Sequence, residues 1–117
     1  MAKDLQISLL LDFYGEMLTL KQKEIMEDYY YADLSLAEIS EDKDITRQGV
    51  RDSIKRAELQ LIDMEEKLKL VEKFKTVNEN LTRICDCALK IAEITSENPK
   101  VMINVNTILD SAKELVE

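Results

Sequence analysis

The sequence predicts an all-α protein, a helix-turn-helix bundle followed by long heptad-patterned C-terminal helices. Three observations carry that prediction. The chain of 117 residues holds only 2 Gly and 1 Pro, with 45% apolar and 34% charged residues, a composition rich in helix formers. Helix-start signatures recur through its first half, at Thr19, Ser35 and Thr46. From Val50 onward, apolar residues return at steps of three and four, the period of a helix face.

The elements follow in order. A first helix runs from about Asp4 to Tyr14, with Leu5, Ile7, Leu10, Leu11 and Tyr14 as its apolar face, and Gly15 is placed to end it. In Thr19-Leu20-Lys21-Gln22 a capping box opens a second helix, in which Thr19 caps and Gln22 answers. That helix buries Leu20, Ile25, Met26 and part of Tyr29 to Tyr31. Ser35-Leu36-Ala37-Glu38 is another capping box and starts a short helix that fades in the EDKD run. Thr46 then caps a fourth helix. Two short helices joined by a few polar residues form a helix-turn-helix pattern, with Leu36, Ile39 and Ile45 sealing the elbow and Val50 and Ile54 anchoring the second helix.

Beyond the elbow, Val50, Ile54, Ala57, Leu61, Met64, Leu68 and Val71 make one heptad seam, supported by Asp63–Lys67 and Glu65–Lys69 pairs at i,i+4. Val77, Leu81, Ile84, Ala88 and Ile91 make a second seam, and Asn78 and Asn80 mark the bend between the two. Asn98-Pro99 reads as cap and first residue of a last helix carrying Val101, Val105, Ile108, Ala112 and Leu115. The chain thus divides into a helix-turn-helix bundle over residues 1–57 and a helical extension over residues 58–117 that packs on itself or dimerises.

Charge singles out one stretch. The whole chain carries 16 Lys+Arg against 24 Asp+Glu, a net charge of -8, yet Ile45 to Arg56 is locally cationic through Arg47, Arg51, Lys55 and Arg56. On a helix, Val50, Ile54 and Ala57 share one side, and Gln48, Arg51, Asp52 and Lys55 the opposite one, with Arg47 at its edge and Arg56 further round. A basic outer face on the second helix of a helix-turn-helix is where such a motif meets nucleic acid, which makes Arg47, Gln48, Arg51, Lys55 and Arg56 the candidate binding residues. Asp52 is read either as accepting from a cytosine amine or, the more ordinary account, as pairing locally with Arg51 or Arg56.

Other classes of function find no support. There is no histidine, so the commonest general base and metal ligand is missing, and the two isolated glycines form no phosphate loop. Cys85 and Cys87, two apart on a helix, point about 160° away from each other and neither pair nor chelate. No catalytic residue, cofactor or metal site is expected. ISLLL is too short for an export signal and no segment approaches a membrane span, so the chain is expected in the cytoplasm, away from membranes.

Residues 5 to 75 also resemble the YlxM family of small bacterial helix-turn-helix proteins. The likeness rests on Asp12-Phe13-Tyr14, Leu18-Thr19, Lys21-Gln22, Tyr29-Tyr30, Ser35-Leu36, Glu38-Ile39, and Arg47-Gln48 followed by Val50 and Ile54-Lys55-Arg56. The resemblance implies a fold like the fourth region of bacterial sigma factors and a regulatory or accessory role in the signal recognition particle pathway. It puts Arg47, Gln48, Arg51 and Lys55 at the nucleic-acid-facing positions. The partners it implies are DNA or the RNA of that particle, with the particle's GTPase as a further candidate. A homodimer through the C-terminal helices is expected from the seams. The rival reading is a protein-interaction module that binds the GTPase through its helices without reading nucleic acid. Two positions depart from the pattern: Lys43 replaces an apolar or aromatic residue closing the first helix of the motif, and Asp44 stands at a turn position favouring Gly or Asn.

Overall fold

The computed structural model describes residues 3–116; Met1, Ala2 and Glu117, the outer ends of the two expected segments, lie outside the described residues. All regular structure among the described residues is helical: α1 (Leu5–Tyr14), a 3-10 turn (Gly15–Met17), α2 (Leu20–Tyr30), α3 (Leu36–Lys43), α4 (Arg47–Leu68), α5 (Leu70–Thr95) and α6 (Pro99–Val116). The chain divides into two compact units, Met1–Val71 and Glu72–Glu117. The first unit extends past residue 57 because α4 stays packed on the N-terminal helices through Leu61, which is fully buried.

In the first unit α1, α2 and α3 all pack on α4. The core joins Ile7, Leu10, Leu11 and Tyr14 of α1 to Ile25, Met26 and Tyr29 of α2, Ile39 of α3 and Val50, Ile54, Ala57 and Leu61 of α4. The helix starts are local chemistry. Asp4 caps α1 by accepting from the Gln6 N–H, both capping boxes close as the sequence predicts, and the Thr46 hydroxyl accepts from the Gly49 N–H at 2.9 Å. Gly15 ends α1 as expected, in the right-handed region at φ -55°, and leads into the 3-10 turn; its lack of a side chain matters because a Cβ would lie 3.2 Å from Leu11. One local expectation fails. Leu20 is 72% exposed, since the cap at Thr19 turns the first residue of α2 outward from the core.

Three tyrosines tie the helices together through carboxylates. Tyr31 donates to Asp12 and Tyr30 to Glu58. Tyr14 Oη donates to Glu65 Oε1 at 2.5 Å and accepts from the Leu70 N–H at 3.1 Å. Glu65 Oε1 also accepts from the Val71 N–H at 3.1 Å. Tyr14 and Glu65 thus satisfy two of the free donors that open α5.

That arrangement relocates the bend. The chain breaks at Lys69, in the left-handed region at φ 54°, and α5 then runs unbroken through Asn78 and Asn80. Amide side chains alone do not interrupt a helix whose backbone bonds are intact, whereas the Tyr14–Glu65 pair favours a break at Lys69 by capping the first turn of α5. The seam changes with it: Val50 to Leu61 are buried, Met64 and Val71 half-buried, and Leu68 is 44% exposed. Of the two expected i,i+4 pairs, Lys67 meets Asp63 at 2.9 Å, while Glu65 faces Tyr14 and Val71.

The second unit is a helical hairpin. Asn98 Oδ1 accepts from the Lys100 and Val101 N–H groups at 3.1 and 3.3 Å, and Pro99 opens α6 as its spacing predicts. Among its described residues only Ala88, Val105 and Ala112 are buried. The large apolar side chains Val77, Ile84, Ile91, Ile103 and Leu115 are exposed.

Candidate nucleic-acid interface

The elbow of the helix-turn-helix is tightly closed. Asp44 ends α3 in the left-handed conformation at φ 55°, which a short polar side chain accepts more readily than a branched one. Its N–H and that of Ile45 both bond the Ser40 carbonyl, and the Ser40 hydroxyl returns to the Ile45 carbonyl. Ile39, fully buried, and Ile45, half-buried, fill the inside of the turn. Lys43 leaves the elbow for the acids of α2, lying 3.3 Å from Glu24 and 3.7 Å from Asp28, and also 3.6 Å from neighbouring Asp42. The hydrogen bond to Glu24 raises the Lys43 pKa despite partial desolvation. A cation therefore does here what an apolar residue would otherwise do, holding α3 to α2.

α4 leaves the elbow with Val50, Ile54 and Ala57 turned into the core. Arg47, Gln48, Arg51, Lys55 and Arg56 are all exposed. The Gln48 amide donates to Asp52 Oδ1 at 2.9 Å. The partner of Asp52 is thus Gln48, one turn back, rather than Arg51 or Arg56, and the acid is drawn to a neutral amide that leaves the cations uncommitted. Arg47, Arg51, Lys55 and Arg56 make no ion pair among the described residues. Elsewhere in the same unit Lys3, Lys23, Lys43 and Lys67 are each paired with a carboxylate. The contrast is physical: cations beside acids are neutralised, while those at the start of α4 keep their field.

A groove of about 510 Å3 adjoins this face, between the first turn of α2 and one side of α4. In the sequence its contributors from α2, Lys21 and Gln22, stand out as helix-start residues and as part of the family likeness, not as groove residues. Their nearness to Ser53 and Arg56 is a tertiary fact with no local signal. Among the described residues no group of three or more acidic, thiol or imidazole side chains could hold a metal ion, and no helix is long and apolar enough to cross a membrane.

Comparison with known proteins decides the family. The family model described as "Putative helix-turn-helix protein, YlxM / p13 like" matches residues 1–101. The chain belongs to the UPF0122 family. Among its relatives, a UPF0122 protein of Acetivibrio thermocellus is 42% identical over 119 residues, covering 100% of this chain and 99% of its own. One from Thermoanaerobacter sp. (strain X514) is 43% identical over 93% of this chain and 92% of its own. Another, from Clostridium kluyveri, is 46% identical over 74% and 78%. UPF0122 membership and the geometry agree on a helix-turn-helix protein, and a nucleic-acid-binding regulatory role is consistent with both.

Proposed function

We propose that the chain is a nucleic-acid-binding regulatory or accessory protein that meets its target with the outer face of α4. The observation that supports it is the row of exposed, unpaired cations at Arg47, Arg51, Lys55 and Arg56 on the second helix of a closed helix-turn-helix. In such a motif phosphate contacts position the helix and its first turn meets base edges, so Arg47 and Gln48 read while Arg51, Lys55 and Arg56 hold the backbone. Gln48 must release Asp52 to read an adenine edge.

Net charge limits the affinity. At -8 the whole chain repels a polyanion, and a local patch acts over about 8 Å at physiological salt. Useful binding then requires two copies, or a protein partner already on the nucleic acid. We propose a homodimer through the second unit. The support is the hairpin's largely apolar surface: a groove of about 650 Å3 lined by Ile84, Cys87, Ala88, Ile91 and Ile108, with Asn80 and Arg83 at one end, on two helices too few to bury their own large side chains. The resemblance to YlxM proteins makes the signal recognition particle the candidate target, with its RNA on α4 and its GTPase as the accompanying protein, in the cytoplasm. The test is a titration of labelled protein against duplex DNA, particle RNA, GTPase, and the RNA–GTPase complex. Tightest binding to the complex supports the accessory role. Equal affinity for naked DNA and the complex makes an ordinary DNA-binding regulator the better account, and binding to GTPase alone favours the protein-interaction reading.

A further inference from the structure

The groove between α2 and α4 has an unusual lining. Thr19, Lys21 and Gln22 form one wall, and Gly49, Asp52, Ser53 and Arg56 form the other, with Ile45 as the one apolar side chain beside them. The four α4 positions fall on one stripe of the helix, beside the outer cationic face. Lys21, Ser53 and Arg56 have no hydrogen-bond or ion-pair partner among the described residues. The Gln22 side-chain oxygen is held by the Thr19 N–H at 3.1 Å, which orients its amide nitrogen as a donor with no acceptor there. The one acid, Asp52, is engaged by Gln48 at 2.9 Å. Gly49 contributes only backbone to the wall. Two cations and two neutral donors therefore line one groove against a single, already bonded carboxylate.

Such a set suits a tetrahedral oxyanion, whose several acceptor oxygens can take charge-assisted and neutral hydrogen bonds together. We propose that the groove seats a backbone phosphodiester of the bound nucleic acid, with Lys21, Gln22 and Ser53 as positioning residues and Arg56 shared with the α4 face. The inference rests on α4 being the nucleic-acid face, and deepens it. A phosphate gripped from α2 as well as α4 fixes the register of α4 on the strand, which contacts from one helix do not.

The test is the salt dependence of binding to a short duplex DNA and to a hairpin RNA, for full-length wild type, Lys21→Gln, Ser53→Ala and Arg51→Ala. Lys21 is exposed and makes no hydrogen bond or ion pair among the described residues, so the Gln variant should fold as the wild type does. The expected result for Lys21→Gln is a plot of log affinity against log salt whose slope shrinks by about 0.7–0.9. Ser53→Ala should weaken binding several-fold at unchanged slope, and neither variant should alter sequence preference. If Arg51→Ala reduces the slope and Lys21→Gln leaves it intact, the groove is not a phosphate site although α4 remains the interface. If the wild type binds neither probe, both readings fall. A parallel arm raises inorganic phosphate at constant ionic strength. Stabilisation of the free protein by phosphate that Lys21→Gln removes, with the nucleic-acid slope unmoved, would assign the groove to a free anion and overturn the proposal.

Discussion

The Tyr14 hydroxyl bonds Glu65 at 2.5 Å across 51 residues of sequence, and together they cap the start of α5. Burial first, and the bond to Glu65 second, raise the Tyr14 pKa above its usual range. Removing the hydroxyl leaves Glu65 and the Leu70 N–H without this partner at a helix start. Tyr14→Phe should therefore lower the thermal midpoint, and so should Glu65→Ala. A double-mutant cycle by urea unfolding should show strong coupling. Additive losses would mean that the pair does not act as a unit.

Stability should fall at both ends of the pH range. Burial first, then bonds to Glu65, Glu58 and Asp12, raise Tyr14, Tyr30 and Tyr31 above the ordinary value of 10.0. A raised acid gives stability that is complete below 10.0 and lost as pH climbs through the folded value, so alkaline unfolding should begin above about pH 10. Tyr30→Phe should flatten that limb. At the acid end, the backbone N–H of Ser35 lowers Glu38 below its ordinary value of 4.5. Its stabilisation is present above 4.5 and disappears as pH falls through the folded value. Glu38→Gln, which can still close the capping box, should weaken the acid limb specifically.

Burial divides the seam of α4 into two classes. Leu61 is fully buried and Leu68 is 44% exposed. Leu61→Ala should cost about 2–5 kcal/mol in urea unfolding, and Leu68→Ala about 1 kcal/mol or less. Equal costs would mean that Leu68 is covered in solution.

Two non-glycine residues, Asp44 and Lys69, end helices in the left-handed region at φ 55° and 54°. Glycine at either place should stabilise by about 0.5–1 kcal/mol by relieving the Cβ clash, reduced by its own loss of freedom. Asp44→Val should destabilise instead. A glycine variant at 69 no more stable than wild type would mean that the break at Lys69 is not the solution geometry.

Assembly is tested on the hairpin rather than on Leu61, since a charge at Leu61 would destroy the protein's own core. Ile84→Asp and Ile91→Asp lie on the exposed apolar groove. Sedimentation should show a wild-type dimer at micromolar concentration and a folded monomer for the pair of substitutions. A monomeric wild type would refute the dimer.

The helix starts were determined by the sequence itself. Thr19 with Gln22, Ser35 with Glu38, Thr46 and Asn98 each cap a helix through groups within three residues, so the pattern of letters contains the whole interaction. The same holds for the cationic face of α4, because a fixed 100° per residue sorts Arg47, Arg51 and Lys55 from Val50 and Ile54 without knowledge of any neighbour. The features that the tertiary structure alone decided depend on residues far apart in the chain. The break at Lys69 exists beside a hydroxyl that meets Leu70 across 56 positions, so no local signal could move the bend there from Asn78. Lys43 is quieted by Glu24 and Asp28 of another helix, and the α2–α4 groove joins Lys21 to Arg56. Local hydrogen bonds and helical period are written in neighbouring residues; long-range contacts exist only once the core of α1, α2, α3 and α4 has closed.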